Sequence, residues 1–145
     1  MMSTPYSDIF KRAVFRFRDY DYLQMSNDEI HEVMSSFLRS AVADFAPVCQ
    51  DDLYDVDETL AQFNADLGLE VQEILATGIA FYWTSARILD QELLRNSMST
   101  KDYTYFSPAN LLRESQTLRD SLRKEYRDRI VQYTYHHGDI SSINA

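Results

Sequence analysis

Apolar residues recur at intervals of three and four along four stretches of the chain, which places them on one face of an α-helix. This spacing predicts helices near residues 7–18, 27–45, 69–95 and 108–135. Only three Gly and three Pro occur in 145 residues, whereas a β-sandwich or barrel uses many turn residues. We therefore expect an all-α fold, a small bundle of about four helices with a long C-terminal helix and an extended terminal arm.

Signals at the helix ends agree with these boundaries. Ser26 followed by Glu29 forms a capping box for the second helix. Ser107 and Pro108 suit the cap and first turn of the fourth helix. Gly138 suits a left-handed stop at the other end. The 45% hydrophobic content is enough for one core, so residues 1–145 are expected to form one domain, with a body at about 7–135 and an arm at about 136–145.

The third and fourth helices differ in the width of their apolar faces. Gly78 lies inside the third helix, where Gly costs about 1 kcal/mol relative to Ala, and we expect it to allow a close helix approach. The wide face of the third helix comprises Val71, Ile74, Leu75, Ile79, Tyr82, Trp83, Ala86, Leu89 and Leu93. The narrow stripe of the fourth comprises Leu112, Leu118, Leu122, Tyr126, Ile130 and Tyr133.

Residues 48–68 are acidic and irregular, and a short helix or strand could form within them. Leu60 and Phe63 are expected to pack on the core. The Asp residues of this stretch lack the glycine and the ligand spacing of an EF-hand, so they are expected to cap a helix or to lie in a solvated loop.

The charge is unevenly distributed around a net value of −9. Residues 1–18 carry four bases and one acid, residues 19–102 carry four bases and seventeen acids, and residues 103–145 carry six bases and five acids. Opposite charges could attract copies of the chain head to tail, or the acidic surface could simply be solvated. The net field repels phosphate, which disfavours free nucleic acid as a partner.

No arrangement of residues predicts catalysis, a metal site or a cofactor. Cys49 is the only cysteine, so no internal disulfide can form. Glycine motifs for nucleotides and for a nucleophile elbow are absent. His136 and His137 diverge by about 100° on a helix and are expected to hydrogen-bond at a helix end or an interface. Neither a signal peptide nor a membrane-spanning segment is expected, and the protein should be soluble.

The C-terminal region crowds aromatic and aliphatic residues into a short segment. Exposed apolar side chains at a terminus need cover, which indicates contact with another subunit. The alternative is that the segment docks on its own body. The candidate partner-binding residues are Tyr133, Tyr135, His136, His137, Asp139, Ile140 and Ile143.

Short motifs follow one another in a characteristic order along most of the chain. They are Tyr6-Ser7-Asp8-Ile9-Phe10, Asp19-Tyr20-Asp21-Tyr22, Leu38-Arg39-Ser40-Ala41, Cys49-Gln50-Asp51-Asp52-Leu53, the Trp83 helix, Ser99-Thr100-Lys101-Asp102-Tyr103, Ser107, and Tyr133-Thr134-Tyr135-His136-His137-Gly138-Asp139. Because its motifs occur in this order, the chain resembles the neck proteins of tailed bacteriophages, the head–tail connector or adaptor family.

The resemblance implies a virion structural protein made in the cytoplasm of a bacterial host. It implies a ring of copies below the portal, extending the DNA channel towards the tail. The partners would be other copies, the portal protein and tail or neck proteins, with double-stranded DNA as non-specific cargo and no membrane. The resemblance carries no catalytic or metal residues.

Other functions remain open from the sequence. Within the virion, a tail or baseplate connector has the same sequence features as a neck protein. Outside it, a soluble acidic helical regulator could bind a basic partner. An enzyme with an unfamiliar site is a third class.

Overall fold

The computed structural model describes residues 3–16, 26–97 and 109–137. These residues form four helices and a small sheet. The third and fourth helices are the longest, and the fourth is the last element of the chain. The elements are β1 (Thr4–Pro5), α1 (Tyr6–Val14), α2 (Asn27–Phe45), β2 (Val56–Asp57), β3 (Gln62–Phe63), α3 (Leu69–Ser97) and α4 (Ala109–His137). Helix α3 is central, because it packs against α1, α2 and α4. The prediction of a helical bundle with a long C-terminal helix is confirmed.

Helix boundaries agree with the prediction for α2 and differ by a few residues elsewhere. The Ser26 hydroxyl accepts the N–H of Glu29 at 3.2 Å, as the capping box requires. Helix α1 ends at Val14 instead of residue 18, because the N–H of Arg16 donates to Ala13 O in a turn. Helices α3 and α4 each extend two residues beyond their predicted ends. Ser107 and Pro108 lie outside the described residues.

Two short strands occupy part of the irregular acidic stretch. β3 lies between β1 and β2 and pairs antiparallel with both, so Phe63 faces Thr4 on one side and Val56 on the other. Phe63 is buried, as predicted. The prediction for Leu60 is wrong: it is 64% exposed, because it lies in the turn joining β2 to β3, where its N–H donates to Asp57 Oδ1 at 3.0 Å.

The apolar faces of all four helices converge on one core around α3. Its largest fully buried side chains include Ile9, Met34, Phe45, Leu53, Ile74, Leu75 and Ile79. One predicted core position of α3 is wrong, since Leu89 is 56% exposed. Leu75 and Tyr82 lie on the same face of α3 as Leu89. Leu75 is buried and Tyr82 is half-buried, so this face becomes more exposed towards the C-terminal end of the helix.

Three helices approach one another closely at Gly78. A Cβ atom there would lie 2.8 Å from Ala41 Cβ of α2 and 2.9 Å from the Tyr126 ring of α4. The prediction of a close approach is therefore confirmed. The Tyr126 hydroxyl donates to Asp44 Oδ2 at 3.0 Å, and the Tyr82 hydroxyl donates to the same oxygen. Asp44 thus links α2 to both of its neighbours.

One basic residue of α1 and one in the turn after it are paired within the subunit. Arg12 Nη1 lies 2.6 Å from Glu73 Oε1, and Arg16 pairs with the other oxygen of Glu73. Arg16 Nε also lies 3.6 Å from Glu125 Oε1, which contacts Arg129 at 3.0 Å. Two of the four bases in the first eighteen residues therefore hold α1 against α3 and α4, and their charges are largely engaged internally.

Candidate functional site: the C-terminal end of helix α4

Tyr133 joins the end of α4 to the end of α2. Its ring is buried, packs edge-on against Phe45 with centroids 4.9 Å apart, and stacks on His137 at 4.3 Å. Its hydroxyl accepts the N–H of Gln50 at 2.8 Å and lies 3.8 Å from Cys49 Sγ. Burial is the main cause that raises the pKa of Tyr133. This tyrosine, predicted to bind a partner, packs within its own subunit.

The two adjacent histidines share one carboxylate. His136 Nδ1 lies 2.9 Å from Glu70 Oε1, and His137 Nε2 lies 3.0 Å from Glu70 Oε2. The two rings diverge, yet each reaches a different oxygen of the same residue. The prediction that they hydrogen-bond at a helix end is confirmed.

Helix electrostatics explain why these groups meet. Glu70 lies in the first turn of α3 and the histidines lie in the last turn of α4, where acidic and basic groups respectively complement the helix dipole. Burial acts to raise the pKa of Glu70, but the hydrogen bonds with His137 and His136 outweigh it, and its pKa is lowered. The charged carboxylate is the form that this arrangement favours.

Gln50 completes the attachment of the helix end. Its side-chain Nε2 donates to the carbonyl oxygen of His137 at 2.7 Å. Carbonyls in the last turn of a helix lack helical partners, so this bond satisfies one of them. We call the cluster of Cys49, Gln50, Glu70, Tyr133, His136 and His137 the C-terminal clasp.

The predicted partner-binding residues have three different placements. Tyr133, His136 and His137 belong to the clasp. Tyr135 projects from the opposite side of α4 and is 73% exposed. Asp139, Ile140 and Ile143 lie outside the described residues. Sequence reasoning missed Glu70 and Gln50, which are 66 and 87 residues from their partners; the acidic residue in the first turn of α3 was the one available signal.

An exposed apolar pair lies on the outer face of α4. Val131 is 51% exposed and lies one helical turn before Tyr135. The exposed charged residues of α4 that precede this pair are four bases and three acids: Arg113, Arg123, Lys124, Arg127, Glu114, Asp120 and Asp128. This surface, which we call the α4 outer face, combines an apolar end with a mildly basic stretch.

A second exposed surface has the opposite charge. Residues 51–58, the acidic segment, carry four Asp and one Glu, and Tyr54 within it is 68% exposed. Asp52 Oδ1 accepts the N–H of Tyr54 at 3.0 Å, and Asp55 Oδ1 accepts from Asn64 Nδ2 at 2.9 Å. These two carboxylates organise turns and cap no helix. Among the described residues, no three His, Cys, Asp or Glu side chains are arranged to hold a metal ion.

Within the described part of the chain, no helix has the length and apolar character needed to cross a bilayer. Comparison with protein-family models, with curated proteins and with solved structures found no match.

Proposed function

We propose that this chain is a structural subunit of a tailed-bacteriophage virion: a head–tail connector, or adaptor, that forms a ring below the portal. The resemblance of its motifs suggests this family. The observation that carries the proposal is the presence of two exposed surfaces of unlike character, the α4 outer face and the acidic segment.

A ring built from identical subunits needs a heterologous interface, in which one surface of each copy meets a different surface of the next. The α4 outer face offers Val131 and Tyr135 beside Arg123, Lys124 and Arg127. The acidic segment offers Tyr54 among five carboxylates, and the exposed Leu60 lies two residues beyond it. The two surfaces complement each other in charge, and each supplies an aromatic side chain of the kind that anchors interfaces.

Net charge supports a role beside packaged DNA. The chain carries −9 at pH 7, so a channel wall made of many copies would repel the phosphate backbone. DNA would then be a cargo that passes without sequence-specific contact. The neighbouring partners would be the portal protein on one side and tail or neck proteins on the other.

The proposal is tested by assembly of the full chain, alone and with the portal protein of the same genome. Rings are expected in negative-stain electron microscopy, and light scattering should report a mass of many subunits. Association is expected to weaken as salt rises, because screening reduces charge complementarity. Val131→Ser with Tyr135→Ser should abolish assembly while the melting temperature stays nearly unchanged.

Leu89→Ser is the matched control, because Leu89 is a comparably exposed aliphatic residue on α3; assembly should be retained. A chain that stays monomeric with the portal protein present, yet forms a 1:1 complex with a basic host protein, would be the soluble regulator instead. Rings that bind tail proteins and not the portal would place the chain in the tail or baseplate.

A further inference from the structure

A largely apolar cavity lies between α2 and the sheet, and the acidic segment forms one side of it. Its volume is about 280 Å³, whereas a cavity of about 150 Å³ already accepts a benzene ring. The cavity therefore has room for one aromatic side chain and lies just below the usual size of small-molecule sites. The apolar part of its wall comprises Leu38, Val42, Leu53, Val56 and Phe63.

Two hydroxyl groups in the cavity wall lack a protein partner. Ser35 is 8% exposed and Tyr6 is 6% exposed, and neither hydroxyl makes a hydrogen bond to any described residue. Burial, followed by the charge of Glu58, raises the pKa of Tyr6, so its phenol stays neutral and keeps a proton to donate. Buried hydroxyls are normally hydrogen-bonded, and an occupant that excludes solvent must supply the bond. The cavity thus favours an apolar body that carries a polar group.

The rim of the cavity carries mostly negative charge. The acidic segment contributes Tyr54, Val56 and Glu58 to the cavity, and the segment as a whole holds five carboxylates and no base. Arg39 Nη2 lies 3.6 Å from Glu58 Oε2, and both side chains are exposed. An exposed pair at this distance contributes little stability, so Glu58 can exchange its partner. Charge complementarity favours an occupant that comes from a basic surface.

One ridge of the α4 outer face has this character. Arg123, Arg127, Val131 and Tyr135 follow one another at four-residue steps, so they lie along one line of the helix surface, and all four are exposed. Tyr135 combines an apolar ring with a hydroxyl, and its exposure shows that it does not fill the cavity of its own subunit. Among the exposed large hydrophobic side chains of the described residues, the other one with a hydroxyl is Tyr54, which belongs to the cavity itself.

We propose that Tyr135 of one copy of the chain inserts into the cavity of the next copy, where its hydroxyl bonds to those of Tyr6 and Ser35. This contact rests on the proposed function and would form the interface of its ring. Arg127 and Arg123 lie about 12 and 18 Å before Tyr135 along the helix axis, where they face the carboxylates of the neighbouring acidic segment. The inserted ridge and the cavity are different surfaces, so the contact is heterologous, as a ring requires.

Complementation between two variants of the full chain tests this contact. Val56→Trp fills the cavity and keeps Tyr135, whereas Tyr135→Ser removes the inserted ring and keeps the cavity. Each variant alone should associate at least about 30-fold more weakly than the wild type, as expected for loss of an interface hot spot. An equimolar mixture should form a 1:1 dimer and nothing larger, because one intact contact remains. Size exclusion with light scattering measures these masses.

Leu89→Trp is the matched control, because Leu89 is exposed on α3 and lies outside the cavity; it should assemble as the wild type does. A mixture that stays monomeric while the wild type forms rings would overturn the proposed contact and leave the ring intact. A wild type that forms only dimers, weakened by both variants, would support the contact and contradict the ring. A wild type that does not self-associate, even with the portal protein present, would contradict both.

A double-mutant cycle tests the same contact without overfilling the cavity. Tyr6→Phe and Tyr135→Phe each remove one hydroxyl and keep the ring, so the melting temperature of each monomer should stay close to that of the wild type. Each substitution should weaken association about 3- to 10-fold, the effect of one hydrogen bond. The double variant should be weakened by less than the product of the two effects, because the hydroxyls bond to each other. Effects that multiply would show that the hydroxyls do not meet and would overturn the proposed contact.

Discussion

At the scale of single residues, Gly78 has no room for a side chain. Gly78→Ala would gain about 1 kcal/mol of helix propensity, but its Cβ would meet Ala41 and the Tyr126 ring at under 3.0 Å. Overpacking of this kind costs about 1–3 kcal/mol or more. The net effect is a fall of up to about 2 kcal/mol in the free energy of unfolding, measured by urea denaturation.

Gly68→Ala is the control, because a Cβ there meets nothing within 4 Å. Its effect on the free energy of unfolding should stay within about 1 kcal/mol. This allowance includes the effect of replacing a glycine directly before the first residue of α3. Equal effects at both positions would show that the three helices are not in close contact at Gly78.

Tyr82 makes the stability of the fold depend on pH in the alkaline range. Burial, followed by the hydrogen bond to Asp44 and the charge of Asp44, raises the pKa of Tyr82 to about 12. An unfolded tyrosine titrates near pH 10, so the fold favours the neutral phenol. This contribution is fully present below about pH 10 and is lost as pH rises towards 12.

We therefore expect the melting temperature of the wild-type protein to fall between pH 9.5 and 11.5, and to fall less steeply in Tyr82→Phe. Tyr135→Phe, on the exposed side of α4, is the control and should follow the wild type. If all three proteins show the same slope, Asp44 does not perturb Tyr82 in solution.

At the scale of elements, the C-terminal clasp determines how the end of α4 is held. Glu70→Ala removes the acceptor of both histidines, so amide hydrogens of residues 133–137 should exchange faster. The loss of global stability should stay below about 1 kcal/mol, because these side chains are partly exposed. Hydrogen exchange followed by mass spectrometry measures the first effect and thermal melting the second.

The same element responds to acid. The pKa of Glu70 is lowered in the fold, so its contribution is present above its ordinary pKa of about 4.5 and is lost as pH falls below that value. The protection factors of the amides of residues 133–137, which are corrected for the intrinsic pH dependence of exchange, should therefore decrease in the wild type below about pH 4.5. Glu32→Ala, an exposed carboxylate on α2, is the control and should leave exchange in α4 unchanged. Equal exchange in Glu70→Ala and wild type would show that Glu70 does not hold the helix end.

At the scale of the whole molecule, the central position of α3 predicts one cooperative unit. Leu75 is fully buried, and Leu75→Ala should lower the free energy of unfolding by about 2–5 kcal/mol. Circular dichroism follows all helices, and the single tryptophan, Trp83, reports on α3. The two transitions should coincide in the wild type and shift together in the variant.

Leu89→Ala, exposed on the same helix, should change stability by no more than about 0.5 kcal/mol. Separate fluorescence and dichroism transitions would show that the chain contains more than one folding unit.

The helices could be predicted because their signals are local. The spacing of Ile30, Met34, Leu38 and Phe45 defines one face of α2 regardless of what covers it, and Ser26 with Glu29 marks its start. The same holds for the stripe of α4 from Leu112 to Tyr133, which the structure buries or half-buries throughout. The sequence by itself therefore determined the fold class and, to within two residues, every helix boundary except the end of α1.

Other properties depend on which elements meet. Leu60 and Leu89 satisfy an apolar pattern, yet only the tertiary structure leaves them exposed, because no described element covers them. The sequence also did not predict the partners of the candidate site residues. Glu70 and Gln50 are far from α4 in sequence, and no local pattern links them to His136 or Tyr133. Periodicity states which face of a helix is apolar, whereas contact between distant segments is decided when the whole chain packs around α3.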